Sequence, residues 1–221
     1  MTRFCASWGG VRLDAALALA ALCVCTTAPP VAAADPPGVP RTQLVVRVYN
    51  AIGLPSRELR EANRVAAAAL APAGVEVRWV ACPAAGDVVC RAPLGPNEVV
   101  VRLIPAATRI STEPASLGST LLDPRGRPAV LSTIFMDRVD VVAHRAQIDR
   151  SRLAGLAMAH ELGHLLLNAP GHGDHGLMRA FWTDDALRST NPEDWRLQPK
   201  EVRAVHAARA GMPEPIATGG N

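Results

Sequence analysis

Aromatic side chains make up only 4% of this 221-residue chain: four tryptophans, three phenylalanines and a single tyrosine, Tyr49. Lysine is scarcer still. Lys200 is the only one beside many arginines, which reads as nucleotide-composition bias rather than function. There is no basic block and no aromatic stripe, so nothing points to a nucleic-acid partner. No internal repeat is visible, and beyond residue 34 no apolar run is long enough to cross a bilayer.

The first 34 residues have the pattern of an export signal. Arg3 and Arg12 form a basic start, 15–25 an apolar stretch, and Ala32-Ala33-Ala34 a small-residue cleavage site before Asp35. Asp14 interrupts the transition, and the apolar stretch is too short for a stable anchor. A lipid anchor at Cys23 or Cys25 is disfavoured by bulky Leu22 or Val24 in front of each. The expectation is a secreted or periplasmic protein. Cys5, Cys23 and Cys25 leave with the signal, so two of the five cysteines remain, Cys82 and Cys90. An isolated pair in an exported chain reads as one disulfide, clipping the loop 83–89; two free buried thiols are the alternative.

The mature chain of about 187 residues suffices for one domain with a real core. Its charge is close to balanced. Of 23 basic and 20 acidic residues, Arg3, Arg12 and Asp14 are lost with the signal, leaving 21 against 19.

What the chain does have is His160-Glu161-Leu162-Gly163-His164. A helix sets residues four apart on one face, so both imidazoles can address one metal. Glu161 is rotated about 100° from His160 and can reach a water at an open coordination position. A carboxylate beside the first ligand supplies the base that this water needs to become a nucleophile. Five of the six histidines (His144, His160, His164, His172, His175) fall in one 32-residue window. The segment 153–167 is otherwise Leu, Ala, Gly and Met. A helix apolar nearly all round is buried, and burying two imidazoles and a carboxylate without partners is costly. A zinc ion resolves that cost better than a core helix with backbone-satisfied histidines, which would leave Glu161 unexplained.

Around this segment, residues 35–41 read as a flexible lead-in and 44–49 as a buried strand. Ser56 can cap a helix to about residue 70, with Leu59, Ala62, Val65, Ala66 and Ala69 on its apolar face; Pro72 and Gly74 end it. Strands follow at 75–80 and 98–104, and strand–helix–strand favours a parallel pair. Asp123-Pro124-Arg125-Gly126 is a turn between 118–122 and 129–135, a hairpin or an edge-strand segment. Helices are expected over 139–146, 152–167 and 199–209, the second stopped by Asn168, Pro170 and Gly171. Residues 212–221 read as a disordered tail.

His160 to His172, read as His-Glu-Leu-Gly-His-Leu-Leu-Leu-Asn-Ala-Pro-Gly-His, resembles the metzincin signature, in which a turn after the helix brings back a third histidine. Gly176-Leu177-Met178 similarly resembles that clan's methionine turn, with Met178 as a hydrophobic floor or as plain core. The chain also resembles a group of exported bacterial proteins with a Val-Arg-Val-Tyr-Asn start and a Gly-Val-Glu-Val-Arg-Trp strand. Two departures stand out: Leu167 occupies the signature's glycine position, and His172 follows His164 by eight residues rather than six. Asn168, which tolerates positive φ, can make the turn instead.

The resemblance implies an α+β, zincin-like domain over 42–211. It would have a mixed sheet of about four strands, a crossover helix, a buried metal-binding helix and a C-terminal helix. It also implies one zinc ion on His160, His164 and His172. His175 and Asp174 are alternative third ligands, and Glu193 and Glu201 more distant ones. The expected function is a monomeric, secreted zinc peptidase acting on a peptide or protein, with Glu161 as general base and the strand near 129–135 aligning the substrate. Two other functions remain open: a metal-bound binding module without turnover, and a metal-dependent amidase acting on cell-wall peptides.

Overall fold

Alternation of apolar residues on the first strand decides which side of the sheet becomes the core. In a computed structural model of the chain, β1 runs Thr42–Asn50, and Leu44, Val46 and Val48 on one face are at most 1% exposed. The residues described are 42–83, 87–105, 116–123 and 125–210. The expected export signal, lead-in and tail lie outside them.

Helix α1 (Ser56–Leu70) covers that core face with Ala62, Ala66, Ala69 and Leu70. Ser56 is not its cap. Pro55 holds the cap position with φ −54°, and no side chain caps the helix. The turn before it is closed instead by Asn50, whose side chain accepts from the Leu54 N–H and donates to the Leu54 carbonyl, both at 2.8 Å. A short 3-10 turn, Ala71–Ala73, ends at Gly74, whose φ of +73° suits glycine. The chain then enters β2 (Val75–Cys82), parallel to β1.

Cys82 and Cys90 are disulfide-bonded, with Cα atoms 5.7 Å apart. A four-residue helix, α2 (Val88–Arg91), absent from the expected elements, carries Cys90. The segment 90–93 lies against the far face of the sheet. Arg47, only 4% exposed, donates from β1 to the Ala92 and Pro93 carbonyls and pairs with Glu98.

Three further strands complete a mixed sheet in the order β2-β1-β3-β5-β4. β3 (Glu98–Ile104) and β5 (Leu131–Phe135) run parallel to β1, and β4 (Gly118–Leu121) runs antiparallel to β5. The sheet has five strands rather than about four. Residues near 129–135 form an interior strand and not the edge. Ser132 through Phe135 are buried on both faces, as expected of a strand covered on both sides. The short, polar β4 is one edge of the sheet and β2 the other.

Helix α3 (Met136–Ala146) leaves β5 directly and stops at Gln147, φ +55°. Asp149 then caps α4 (Arg150–Leu167), its Oδ1 accepting from the Arg152 N–H at 2.8 Å. Fourteen of the 18 residues of α4 are buried, against α1, β4, β5, α3 and α6 (Pro199–Ala210). Between α4 and α6 lie a short helix α5 (Asp184–Arg188) and a 3-10 turn, Pro192–Trp195. The architecture is α+β, with α4 inside it.

Candidate metal centre

Because α4 is helical through 160–164, His160 and His164 sit one turn apart with ring centroids 4.8 Å apart. Each ring is oriented by a backbone carbonyl: His160 Nδ1 lies 2.8 Å from the Leu177 oxygen, and His164 Nδ1 2.8 Å from the Ala169 oxygen. A carbonyl only accepts, so both Nδ1 atoms carry the proton and donate. Both Nε2 atoms therefore present lone pairs, and they stand 3.2 Å from each other.

Asn168 ends the helix in the left-handed conformation, φ +47°, in the role expected of it, and the chain reverses. The return brings His172 to 5.3 Å from His160 and 4.9 Å from His164, ring centre to ring centre. The donor atoms of His160, His164 and His172 all lie within 4.8 Å of one another, close enough to hold a metal ion. Among the described residues no other group of His, Cys, Asp or Glu does so.

Neither a protein-family model nor a curated protein matches this chain.

The other candidate ligands are placed elsewhere. Asp174 and His175 line a small separate hollow with Gln198 and Lys200. Glu201, buried at the start of α6, accepts from the Gln198 N–H at 2.7 Å, and Glu193 pairs with Arg196. Met178 is 1% exposed and packs against Gly163, between the two helix histidines, where a Cβ would collide with its sulfur. The loop is tied back by the Gly173 N–H donating to the Met178 carbonyl at 2.8 Å.

Glu161 is 6% exposed, and its surroundings were not evident from the sequence. Thr120 on β4 donates to its Oε2 at 2.6 Å, and Ser132 on β5 lies 2.9 Å from the Thr120 hydroxyl. Gly118 sits against the carboxylate, where a Cβ would come within 2.6 Å of Oε1. The sequence signal was a Gly-x-Thr pattern on a polar strand, but its partner is 41 residues away. Trp182, also missed, stands edge to face with His160 at 5.5 Å.

Burial sets the protonation states. It pushes the His160 imidazole down to about 4, against the Leu177 carbonyl, which raises it, and with help from the neighbouring His164 and His172. Burial also lowers His164. Both rings are therefore neutral at pH 7, as metal ligands must be. The Glu161 carboxyl is pushed up to about 7 by burial, with the Thr120 hydroxyl pulling the other way. The three histidines and Glu161 face a cleft of about 730 Å³ walled by β4, α3 and the Arg179–Trp182 segment. No helix among the described residues is long and apolar enough to cross a membrane.

Proposed function

We propose that this chain is a zincin-type, zinc-dependent peptidase, exported from the cytoplasm and acting on extended peptides. The observation that carries the reading is a set of three imidazole donors, with no fourth protein donor among the described residues, beside a buried carboxylate on a cleft. A structural zinc site uses four protein ligands, whereas a catalytic one keeps a position open.

The donors fit zinc. Two Nε2 lone pairs 3.2 Å apart repel unless a cation lies between them. Burial disfavours an imidazolium there, so a bound proton is a poor substitute. Ligands about 2.05 Å from a tetrahedral ion stand about 3.3 Å apart; the two helix nitrogens match that spacing, and His172 completes the set with all three donors within 4.8 Å of one another. His160, His164 and His172 would hold the ion, and it would supply an acidified water and a polarised carbonyl.

Glu161 is the proton carrier. Its Oε2 is held by Thr120, and among the described residues no hydrogen bond reaches Oε1. Oε1 takes the proton of the attacking water and returns it to the departing amine. A base whose pKa lies near the working pH is well matched to doing both. The substrate is aligned by β4, not by the strand near 129–135. β4 is an edge of the sheet, with no further strand beside it among the described residues, and it lines the cleft, so a peptide can add to it as a further strand. The disulfide is in keeping with an oxidising compartment.

The test is a peptide-library digest by zinc-loaded protein, with and without chelator, beside Glu161→Gln. Cleavage should require the metal. The amide keeps shape and polarity but cannot take the proton, so turnover should fall on the order of 10²–10⁴-fold with zinc content unchanged. Chelator-insensitive cleavage or a fully active Glu161→Gln would end the reading. Zinc uptake without any cleavage would favour a binding module.

A further inference from the structure

We infer that Thr120 is a positioning residue for Glu161, and that the edge strand aims the base as well as bordering the cleft. The inference rests on the peptidase reading but on separate observations. The Thr120 hydroxyl has three oxygens in reach: Glu161 Oε2 at 2.6 Å, the Glu161 carbonyl at 3.1 Å and Ser132 Oγ at 2.9 Å. It has one proton to donate. The shortest contact, to an ionisable oxygen, takes that proton, because a charge-assisted hydrogen bond is about twice as strong as a neutral one.

Ser132 completes the orientation. Its Oγ lies 2.9 Å from Thr120 Oγ1 and 3.4 Å from the Glu161 carbonyl. Once Thr120 has given its proton to Oε2, its oxygen accepts, and Ser132 donates to it. Two hydroxyls thus point one way, toward the carboxylate. Strand register makes this possible, since Thr120 and Ser132 are cross-strand partners and project from the same face. Gly118, two residues earlier on that face, leaves the space that the carboxylate occupies. Ser132 is fully buried, and neither hydroxyl is needed to close the β4–β5 ladder.

The consequence is mechanical. A glutamate side chain has a broad terminal torsion with little preference of its own. Fixing Oε2 fixes the plane of the carboxylate and leaves Oε1 as the oxygen for proton transfer. Removing the hydroxyl should cost turnover and leave metal and substrate binding in place.

The experiment compares Thr120→Val, which keeps the shape without the hydroxyl, with Thr120→Ser, which keeps the hydroxyl. Three readouts are taken: zinc content, the kcat and KM for the best library peptide, and crystal structures of the metal-free proteins. For Thr120→Val, kcat should fall about 10- to 100-fold, the scale of one hydrogen bond to a charged group, with KM and zinc content unchanged. Thr120→Ser should restore most of kcat. In the crystal the Glu161 carboxylate should keep its place in Thr120→Ser and leave it in Thr120→Val. If wild type turns over and Thr120→Val matches it, or Thr120→Ser fails to rescue, the inference is overturned. If wild type cleaves no peptide, the peptidase reading falls. The structures then decide alone: an unmoved carboxylate in Thr120→Val overturns the positioning role, and a displaced one supports it.

Discussion

Gly155 offers the sharpest test of how α4 is seated. It lies where α4 crosses α1, and a Cβ there would come within 2.5 Å of the Ala62 carbonyl oxygen and 2.7 Å of Val65 Cβ. Neither neighbour can turn aside, since one is backbone and the other is the branch point of a stiff side chain. Gly155→Ala gains about 1 kcal/mol of helix propensity. Against that, ordinary carbon contacts begin near 3.5 Å, so the two helices must part by roughly 1 Å or bend. Overpacking of this kind costs about 1–3 kcal/mol, and immobile neighbours put this site at the upper end. The net loss is about 2 kcal/mol, which for a domain of this size lowers Tm by about 4–8 °C. Gly171→Ala is the control. Its Cβ would meet nothing within 4 Å, so it should be neutral or slightly stabilising. Both would be melted by circular dichroism in metal-free buffer. A Gly155→Ala protein that melts at or above wild type would refute the close approach of α1 and α4.

Further tests address the metal, the clip and the charges. His172→Ala should weaken zinc binding far more than His175→Ala in a competition titration; the reverse order would move the third ligand into the 174–175 hollow. Replacing Cys82 and Cys90 together by serine should cost about 2–3 kcal/mol, the loop-entropy value for their separation of eight residues, and a non-reduced digest should yield them as one linked pair. Two free thiols in material from an oxidising compartment would contradict the bond. Burial alone would raise the Glu98 carboxyl, but the Gly95 N–H and the Arg47 guanidinium hold it below the ordinary carboxylate value. A carboxyl lowered by folding stabilises fully above its unfolded pKa, and that contribution is lost as pH falls through the folded value. The stability gap between wild type and Glu98→Gln should therefore narrow from pH 6 toward pH 3, and a constant gap would count against the Arg47 pairing.

Much of this arrangement was legible because its causes are local. The apolar run of α4, Asn168 as a residue able to take positive φ, and the β-branched stretch of β3 each act within a few positions of themselves. What was hidden depends on distant partners. Ser56 reads as a cap, yet the bonds between Asn50 and Leu54 close that turn and leave Pro55 in the cap position. Helix α5 has only five residues, capped by Thr183, and it is held in place by Arg152 of α4 donating to the Leu187 carbonyl. Whether 129–135 is an edge or an interior strand depends on where 118–121 pairs, which composition does not encode. Thr120 carries no mark of its role until β4 is laid beside α4.

The carbonyls that orient His160 and His164 belong to Leu177 and Ala169, at the two ends of the loop that presents His172 and Met178. That loop has almost no secondary structure of its own, only a single bridge between Gly173 and Arg179. It is therefore laced to the helix by the very rings whose opposite nitrogens converge, and each imidazole acts as a clasp at both ends. Truncating His160 or His164 to alanine would remove a donor atom and unfasten the loop in one stroke, so a lost metal in such a variant has two origins. An asparagine or glutamine in the same place, able to donate to the carbonyl while offering a poorer ligand, separates the clasp from the coordination.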